Sequence, residues 1–172
     1  MPQLFDSIER EIPHLRRYAR FLSRDRDEAD DLVQECLVRA VANAARWTPG
    51  TNLRAWLFVI LKNAFISERR RASRRGAAVG SSEDYPEPSM KAGQESYVAL
   101  MEVRQAFLKL SLEHREVLHL VAIEGLTYEE AAEILEVPVG TIRSRLSRAR
   151  LNLRGFLDAS PQAAAEEVES HE

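Results

Sequence analysis

Thr127-Tyr128-Glu129-Glu130-Ala131-Ala132-Glu133-Ile134-Leu135-Glu136, then Val137-Pro138-Val139-Gly140, then Thr141-Ile142-Arg143-Ser144-Arg145-Leu146-Ser147-Arg148-Ala149-Arg150 is the stretch on which the fold turns. Thr127 followed by Glu130 has capping-box spacing: the hydroxyl takes the Glu130 N–H and the carboxylate takes the Thr127 N–H. A short helix therefore opens after Thr127 and runs through Glu136, with Ala131, Ile134 and Leu135 turned inward. Pro138, in a four-residue connection, stops it from continuing. Thr141 is expected to cap the next helix, where Ile142, Leu146, Ala149, Leu153 and Leu157 share a core-facing stripe. Arg143, Ser144, Ser147, Arg148 and Leu151 are left outward. The small side chains of Ala131 and Ala132 let the two helices cross closely. That is helix-turn-helix geometry, whose second helix enters the major groove by its N-terminal residues. Other helical hairpins share the crossing; an Arg and Ser face without an acid, opening right after the turn, is what singles out DNA.

Toward the N-terminus the helical period continues. Val117, Leu118, Leu120 and Val121 form one helix that Gly125 ends as a C-cap. Val98, Met101, Phe107, Leu108 and Leu110 belong to another, beginning near Tyr97. Over residues 76–95, Gly76, Gly80, Ser81, Ser82, Pro86, Pro88 and Gly93 punctuate a stretch of little apolar content, with acids at Glu83, Asp84, Glu87 and Glu95. That composition predicts a flexible linker, able to reach about 70 Å at ~3.3–3.6 Å per residue. Ahead of it lie three amphipathic helices. Ile8, Ile12, Leu15, Ala19 and Leu22 mark the first, where Pro13 is tolerated only near a first turn or as a kink. Asp25 with Glu28 repeats the capping-box pattern before Ala29, Leu32, Val33, Cys36, Leu37, Ala40, Val41 and Ala44. Pro49-Gly50 breaks the chain. The third helix opens near Asn52, carries Leu53, Trp56, Leu57, Ile60, Leu61, Ala64 and Phe65 on its stripe, and runs to about Arg74. Phe58 and Val59 lie on neither stripe and fit core or partner surface equally. The expected architecture is all-α, with two small helical domains over 1–75 and 96–158, the linker over 76–95 and an acidic tail over 159–172.

The 172 residues are 45% hydrophobic, enough for a core, and only 7 glycines with almost no alternating β-branched run speak against a sheet protein. Cys36 is the single cysteine, so no internal disulfide forms, which fits a reducing cytoplasm. Glu9, Arg10 and Glu11 interrupt any run of signal-peptide type, and no apolar stretch approaches the ~20 residues that span a bilayer. The expected location is the cytoplasm, without membrane insertion. The net charge of −3 conceals strong local fields. Lys62, Arg69, Arg70, Arg71, Arg74 and Arg75 crowd one helix end with only Glu68 among them. Arg143, Arg145, Arg148, Arg150 and Arg154 crowd another with no acid, while the tail from Asp158 to Glu172 holds five acids and no Lys or Arg. A lone arginine run is ordinarily a solvated face; two, each closing an amphipathic helix, point to a polyanion. His14, His114, His119 and His171 lack ligand spacing, and no phosphate-binding glycine loop or nucleophile motif is present. No catalysis, cofactor or metal is therefore expected, and Cys36 on its apolar stripe reads as packing.

Glu124-Gly125-Leu126-Thr127-Tyr128-Glu129-Glu130-Ala131-Ala132, with Val137 through Arg150, closely resembles region four of the extracytoplasmic-function sigma factors. Asp27-Glu28-Ala29-Asp30-Asp31-Leu32-Val33-Gln34-Glu35 is similar to that family's polymerase-clamp helix. Asn52-Leu53-Arg54-Ala55-Trp56-Leu57-Phe58-Val59-Ile60-Leu61-Lys62-Asn63 is similar to its promoter-melting helix. The resemblance spans about residues 8–157, with two separate motifs in the family's order. Glu11-Ile12-Pro13 and Thr51-Asn52-Leu53-Arg54 are especially similar to the alphaproteobacterial general-stress subgroup.

The resemblance implies a non-catalytic specificity subunit that binds core RNA polymerase at the β′ clamp and β flap, engages promoter DNA and is held by an anti-sigma factor in a stress response. At the −35 element the implied residues are Thr141, Arg143, Ser144, Arg145, Ser147 and Arg148. Arg143 and Arg148 are set to reach base edges, and Arg145 a phosphate. For the −10 element, Trp47, Thr48, Asn52 and Asn63 suit an unpaired base, since aromatic stacking returns about 1–3 kcal/mol per base and amides read base edges. Arg69, Arg70 and Arg71 suit phosphates. Trp47 could equally cap the core. Asp27, Asp31, Gln34, Glu35 and Arg39 share an outward face at spacings of three and four. Solubilising charge alone would satisfy that pattern, and only the resemblance makes it a dock. An ordinary helix-turn-helix repressor would explain residues 97–157 but leave the first domain without a role.

Overall fold

Leu15, Tyr18, Leu57, Phe58 and Leu61 have no more than trace exposure to solvent, and three mutually packed helices bring them together. The computed structural model describes residues 2–76 and 94–159, and the chain divides into two compact units, Met1–Pro86 and Glu87–Glu172. All regular elements among the described residues are helical. Those of the first unit are α1 (Pro2–Ser23), α2 (Arg26–Ala42) and α3 (Leu53–Arg74). The linker expected over 76–95 and the tail over 159–172 fall almost wholly outside the described residues.

α1 runs unbroken through Pro13, whose missing N–H leaves the Glu9 carbonyl without its helical donor. Arg24, left-handed at φ 60°, turns the chain into α2. Asp25 caps α2 by accepting the Glu28 N–H at 2.8 Å. The reciprocal half of the expected box is replaced, because the Asp25 N–H goes to Ser23 Oγ at 3.4 Å. Ala29, Leu32, Val33, Cys36 and Ala40 line the core, but Val41 is 47% exposed. It sits about 100° around the helix from Ala40, beyond the reach of the neighbours.

Phe58 resolves to core. It is fully buried and stacks on Tyr18 with centroids 4.6 Å apart, a contact worth about 0.5–1.5 kcal/mol beyond its area. The buried row of α3 is Ala55, Leu57, Phe58, Leu61 and Ala64, while Leu53, Trp56, Ile60 and Phe65 of the expected stripe stay partly exposed. α3 packs on α1 and α2 together, so its buried face is centred between them rather than on the apolar maximum. Cys36 lies under this row with Sγ 3.4 Å from the Leu57 carbonyl, and burial pushes its thiol pKa up to about 12.

The second unit holds α4 (Gln94–Leu108), α5 (Leu112–Leu118), α6 (Tyr128–Leu135) and α7 (Val139–Asp158). α4 begins three residues before Tyr97, and Val98, expected to face inward, is 38% exposed. α5 continues as a π-helical turn, His119–Ile123, in which the Glu124 N–H reaches the His119 carbonyl at 3.0 Å. Gly125 at φ +70° then lets the Leu126 N–H fold back to the Leu120 carbonyl at 3.1 Å, the expected glycine stop. α7 is the hub, packing Ile142, Leu146 and Ala149 against its neighbours. No helix among the described residues is long and apolar enough to cross a membrane.

Candidate functional site

Both halves of the capping box before α6 are formed, Thr127 Oγ1 to the Glu130 N–H at 3.2 Å and Glu130 Oε2 to the Thr127 N–H at 2.8 Å. Such a cap is worth about 1 kcal/mol. Glu136 ends α6 in the left-handed region at φ 53°, and the Val137 N–H returns to the Ala132 carbonyl at 3.1 Å. The turn therefore closes within a few residues and aims α7 across α6.

Thr141 does not cap α7. Pro138 holds that position at φ −59° and ψ 147°, its carbonyl accepting the N–H groups of Thr141 at 2.9 Å and Ile142 at 3.3 Å. The pyrrolidine ring fixes this φ in advance, so the helix starts at Val139 and Thr141 falls half-buried in its first turn. Arg143, Ser144, Ser147 and Arg148 are exposed together, as expected. Arg145 departs from them: its Nη2 lies 2.8 Å from Glu113 Oε1 on α5.

In the first unit, Asp27, Asp31, Gln34 and Glu35 are exposed on one side of α2, while Arg39 is half-buried and held by Glu35 at 2.6 Å. Beside them a groove of about 560 Å³ opens between α2 and α3, with Asp31 and Glu35 facing Arg69, Arg71 and Arg75 over Phe65. The Arg69 guanidinium sits 5.1 Å from the Phe65 ring centroid. Glu68 pairs with Arg75 at 2.9 Å and Arg71 at 3.7 Å. All three side chains are more than half exposed, so each pair contributes little. Arg70 is exposed.

The loop between α2 and α3 opens with a 3-10 turn, Ala44–Arg46, and passes Gly50 at φ +90°. Thr51 Oγ1 donates to the Thr48 carbonyl at 2.7 Å. Thr48 is exposed; Trp47 is half-buried, its Nε1 buried without a hydrogen-bond partner. Asn52 caps α3, its Oδ1 accepting from the N–H groups of Arg54 at 3.1 Å and Ala55 at 3.4 Å. Only its amide NH2 remains for a ligand. Trp47, Thr48 and Asn52 therefore share one loop, whereas exposed Asn63 and Arg69 to Arg71 lie farther along α3, about 15–30 Å on at ~1.5 Å per residue.

The sequence reading missed one cluster. Arg54 Nε lies 2.6 Å from Glu11 Oε2, and its Nη2 lies 3.0 Å from His14 Nε2, joining the start of α3 to α1. The opposite charges were visible, but no local spacing links residues 43 apart.

Among the described residues no group of three or more His, Cys, Asp or Glu could hold a metal. Residues 8–62 match the family model described as the Sigma2 domain of PhyR, and residues 100–153 match that of sigma-70 region 4. The ECF RNA polymerase sigma factor EcfG of Rhodopseudomonas palustris is 44% identical over 155 residues, covering 90% of this chain and 84% of that protein. The ECF RNA polymerase sigma factor SigC of Mycobacterium tuberculosis is 33% identical over 147 residues, covering 84% and 77%. The sigma factor RpoE of Bartonella quintana, solved in complex with the anti-sigma factor NepR, matches with a TM-score of 0.71 at 34% identity, over 93% of this chain and 99% of that one. With a region 2 bundle in α1–α3 and a region 4 helix-turn-helix in α6–α7, the chain belongs to the extracytoplasmic-function family of RNA polymerase sigma factors and fits its alphaproteobacterial general-stress subgroup.

Proposed function

We propose that this sigma factor docks on core RNA polymerase through the outward face of α2, reads −35 duplex with α7, and holds an unpaired −10 base at the loop of residues 46–52. It acts in the cytoplasm as a non-catalytic subunit, with residues 1–75 as region 2 and 96–158 as region 4. The observation that carries the reading is the joint exposure of Arg143, Ser144, Ser147 and Arg148, without an acid, on the helix that opens directly after the turn. Arginine is the usual bidentate reader of guanine, and serine admits close approach to the groove floor. The stretch over 76–95 has the contour length to bridge about 20 base pairs of duplex at ~3.4 Å each. Two weak contacts on one chain then reinforce each other through effective concentration. Because the Bartonella quintana relative was solved with NepR, an anti-sigma factor of that class is the partner we assign to this chain in a stress response. Run-off transcription with core polymerase tests the core of the proposal. The expected outcome is promoter-specific initiation that needs both the −10 and −35 elements and is suppressed by an added anti-sigma factor. Promoter binding that leaves core polymerase initiation unchanged would establish a repressor instead.

A further inference from the structure

Glu11 and His14 lie three residues apart on α1, so both point from the same face toward the N-terminus of α3. There Arg54, two residues after the capping Asn52, reaches Glu11 with Nε and His14 with Nη2. A guanidinium only donates, so in this contact His14 Nε2 can only accept. Gripping a planar fork at two points sets its orientation as well as its distance. The hydrogen bonds recorded within the preceding loop are short-range: Arg46 to Asn43, Trp47 to Ala44 and Thr51 to Thr48. They shape the loop locally, and half-buried Trp47 packs it inward. Asn52 joins the loop end to the first turn of α3, and Arg54 joins that turn to α1. Meanwhile Leu15, Tyr18 and Phe58 hold the bundle by burial and by the Tyr18–Phe58 stack, and the two charged side chains keep 25% and 19% exposure, where an ion pair adds modestly to stability.

We propose that Glu11, His14 and Arg54 are positioning residues that set the loop of residues 46–52 for capture of the unpaired −10 base. The inference rests on the reading of that loop as the base pocket. It also gives a role to Glu11-Ile12-Pro13 and Thr51-Asn52-Leu53-Arg54, the two stretches most similar to the general-stress subgroup, since their charged members meet here.

The test uses the full chain assembled with core polymerase. Glu11→Gln, Arg54→Met and Arg54→Lys are compared with Trp47→Ala and Thr48→Ala for affinity to a single-stranded −10 oligonucleotide, affinity to −35 duplex, and thermal midpoint. Glu11→Gln and Arg54→Met should weaken −10 strand binding by about tenfold, as a small misplacement does, and leave −35 binding unchanged. Arg54→Lys keeps one ion pair but loses the fork, so it should recover only part. The charge swap Glu11→Arg with Arg54→Glu should restore more binding than either single change allows. If the Trp47 and Thr48 variants bind the strand normally, the loop is not the base pocket and the underlying reading falls. If those variants weaken it while Glu11→Gln and Arg54→Met do not, the positioning role alone is overturned. A matching loss of −35 binding and of thermal midpoint would also overturn it, by making the cluster purely structural. Should Arg54→Met fail to fold, Glu11→Gln and the swap decide.

Discussion

Arg145 turns away from the exposed Arg and Ser side of α7 and meets Glu113 on α5, Nη2 to Oε1 2.8 Å. The arginines that look alike in sequence therefore divide. Arg143 and Arg148 are presented outward, while Arg145, only 23% exposed, fastens the recognition helix to its scaffold. Arg148→Ala should cost about 1–3 kcal/mol of −35 binding and relax discrimination at one position. Arg145→Ala should weaken binding evenly across sequences and lower stability by about 0–1 kcal/mol, because Glu113 is well exposed. Binding to −35 duplexes changed one base pair at a time separates the two. Identical preference profiles for the parent and Arg148→Ala would refute the assignment.

On α2, the double change Asp31→Lys with Glu35→Lys reverses the proposed dock. Both residues are exposed, so the fold should tolerate it, with stability falling by about 1 kcal/mol as the Glu35–Arg39 pair is lost. Competition against the parent for core polymerase should show affinity reduced by roughly tenfold or more, since removing complementary charge at an interface costs several kcal/mol in favourable cases. Undiminished competition would return this face to ordinary solubilising charge.

Tyr18 and Phe58 should dominate the stability of the first unit. Phe58→Ala is expected to destabilise by about 3–5 kcal/mol, as the stack on Tyr18 is lost and a cavity opens in the core. Val41→Ala, at a position 47% exposed, should change stability by about 0.5 kcal/mol or less. Urea titrations of the two variants would show this contrast, and comparable losses would contradict the burial pattern.

Cys36 carries a signed pH dependence. Its ordinary thiol value of 9.0 is raised to about 12 by burial, which outweighs the opposing pull of the Arg39 charge. Below pH 9 the thiol is protonated folded or unfolded and contributes no pH slope. Between pH 9 and 12 only the unfolded chain ionises, so stability falls as pH rises through that window. Cys36→Ala should show a shallower decline there, measured as the difference between the two stability curves. Native protein should also resist alkylation at pH 8 and react fully once unfolded. Rapid native alkylation would show the thiol to be accessible.

What the sequence determined by itself is what acts within a turn or two of helix. Asn52 and Asp25 as caps, the Thr127–Glu130 box, the Gly125 stop and the outward Arg and Ser face of α7 all depend on neighbours a few residues away. Thr141 failed as a cap for a reason equally local: Pro138, with its φ locked by the ring, took the position three residues earlier. Periodicity gives an angle around a helix but not where the neighbouring helices stand. Only packing could therefore rotate the buried face of α3 onto Phe58 and leave Val41 and Val98 in solvent. Long charged side chains are less legible still, because their reach exceeds the spacing between helices. Tertiary structure alone decided that Arg145 turns to Glu113 and that Arg54 crosses to Glu11 and His14.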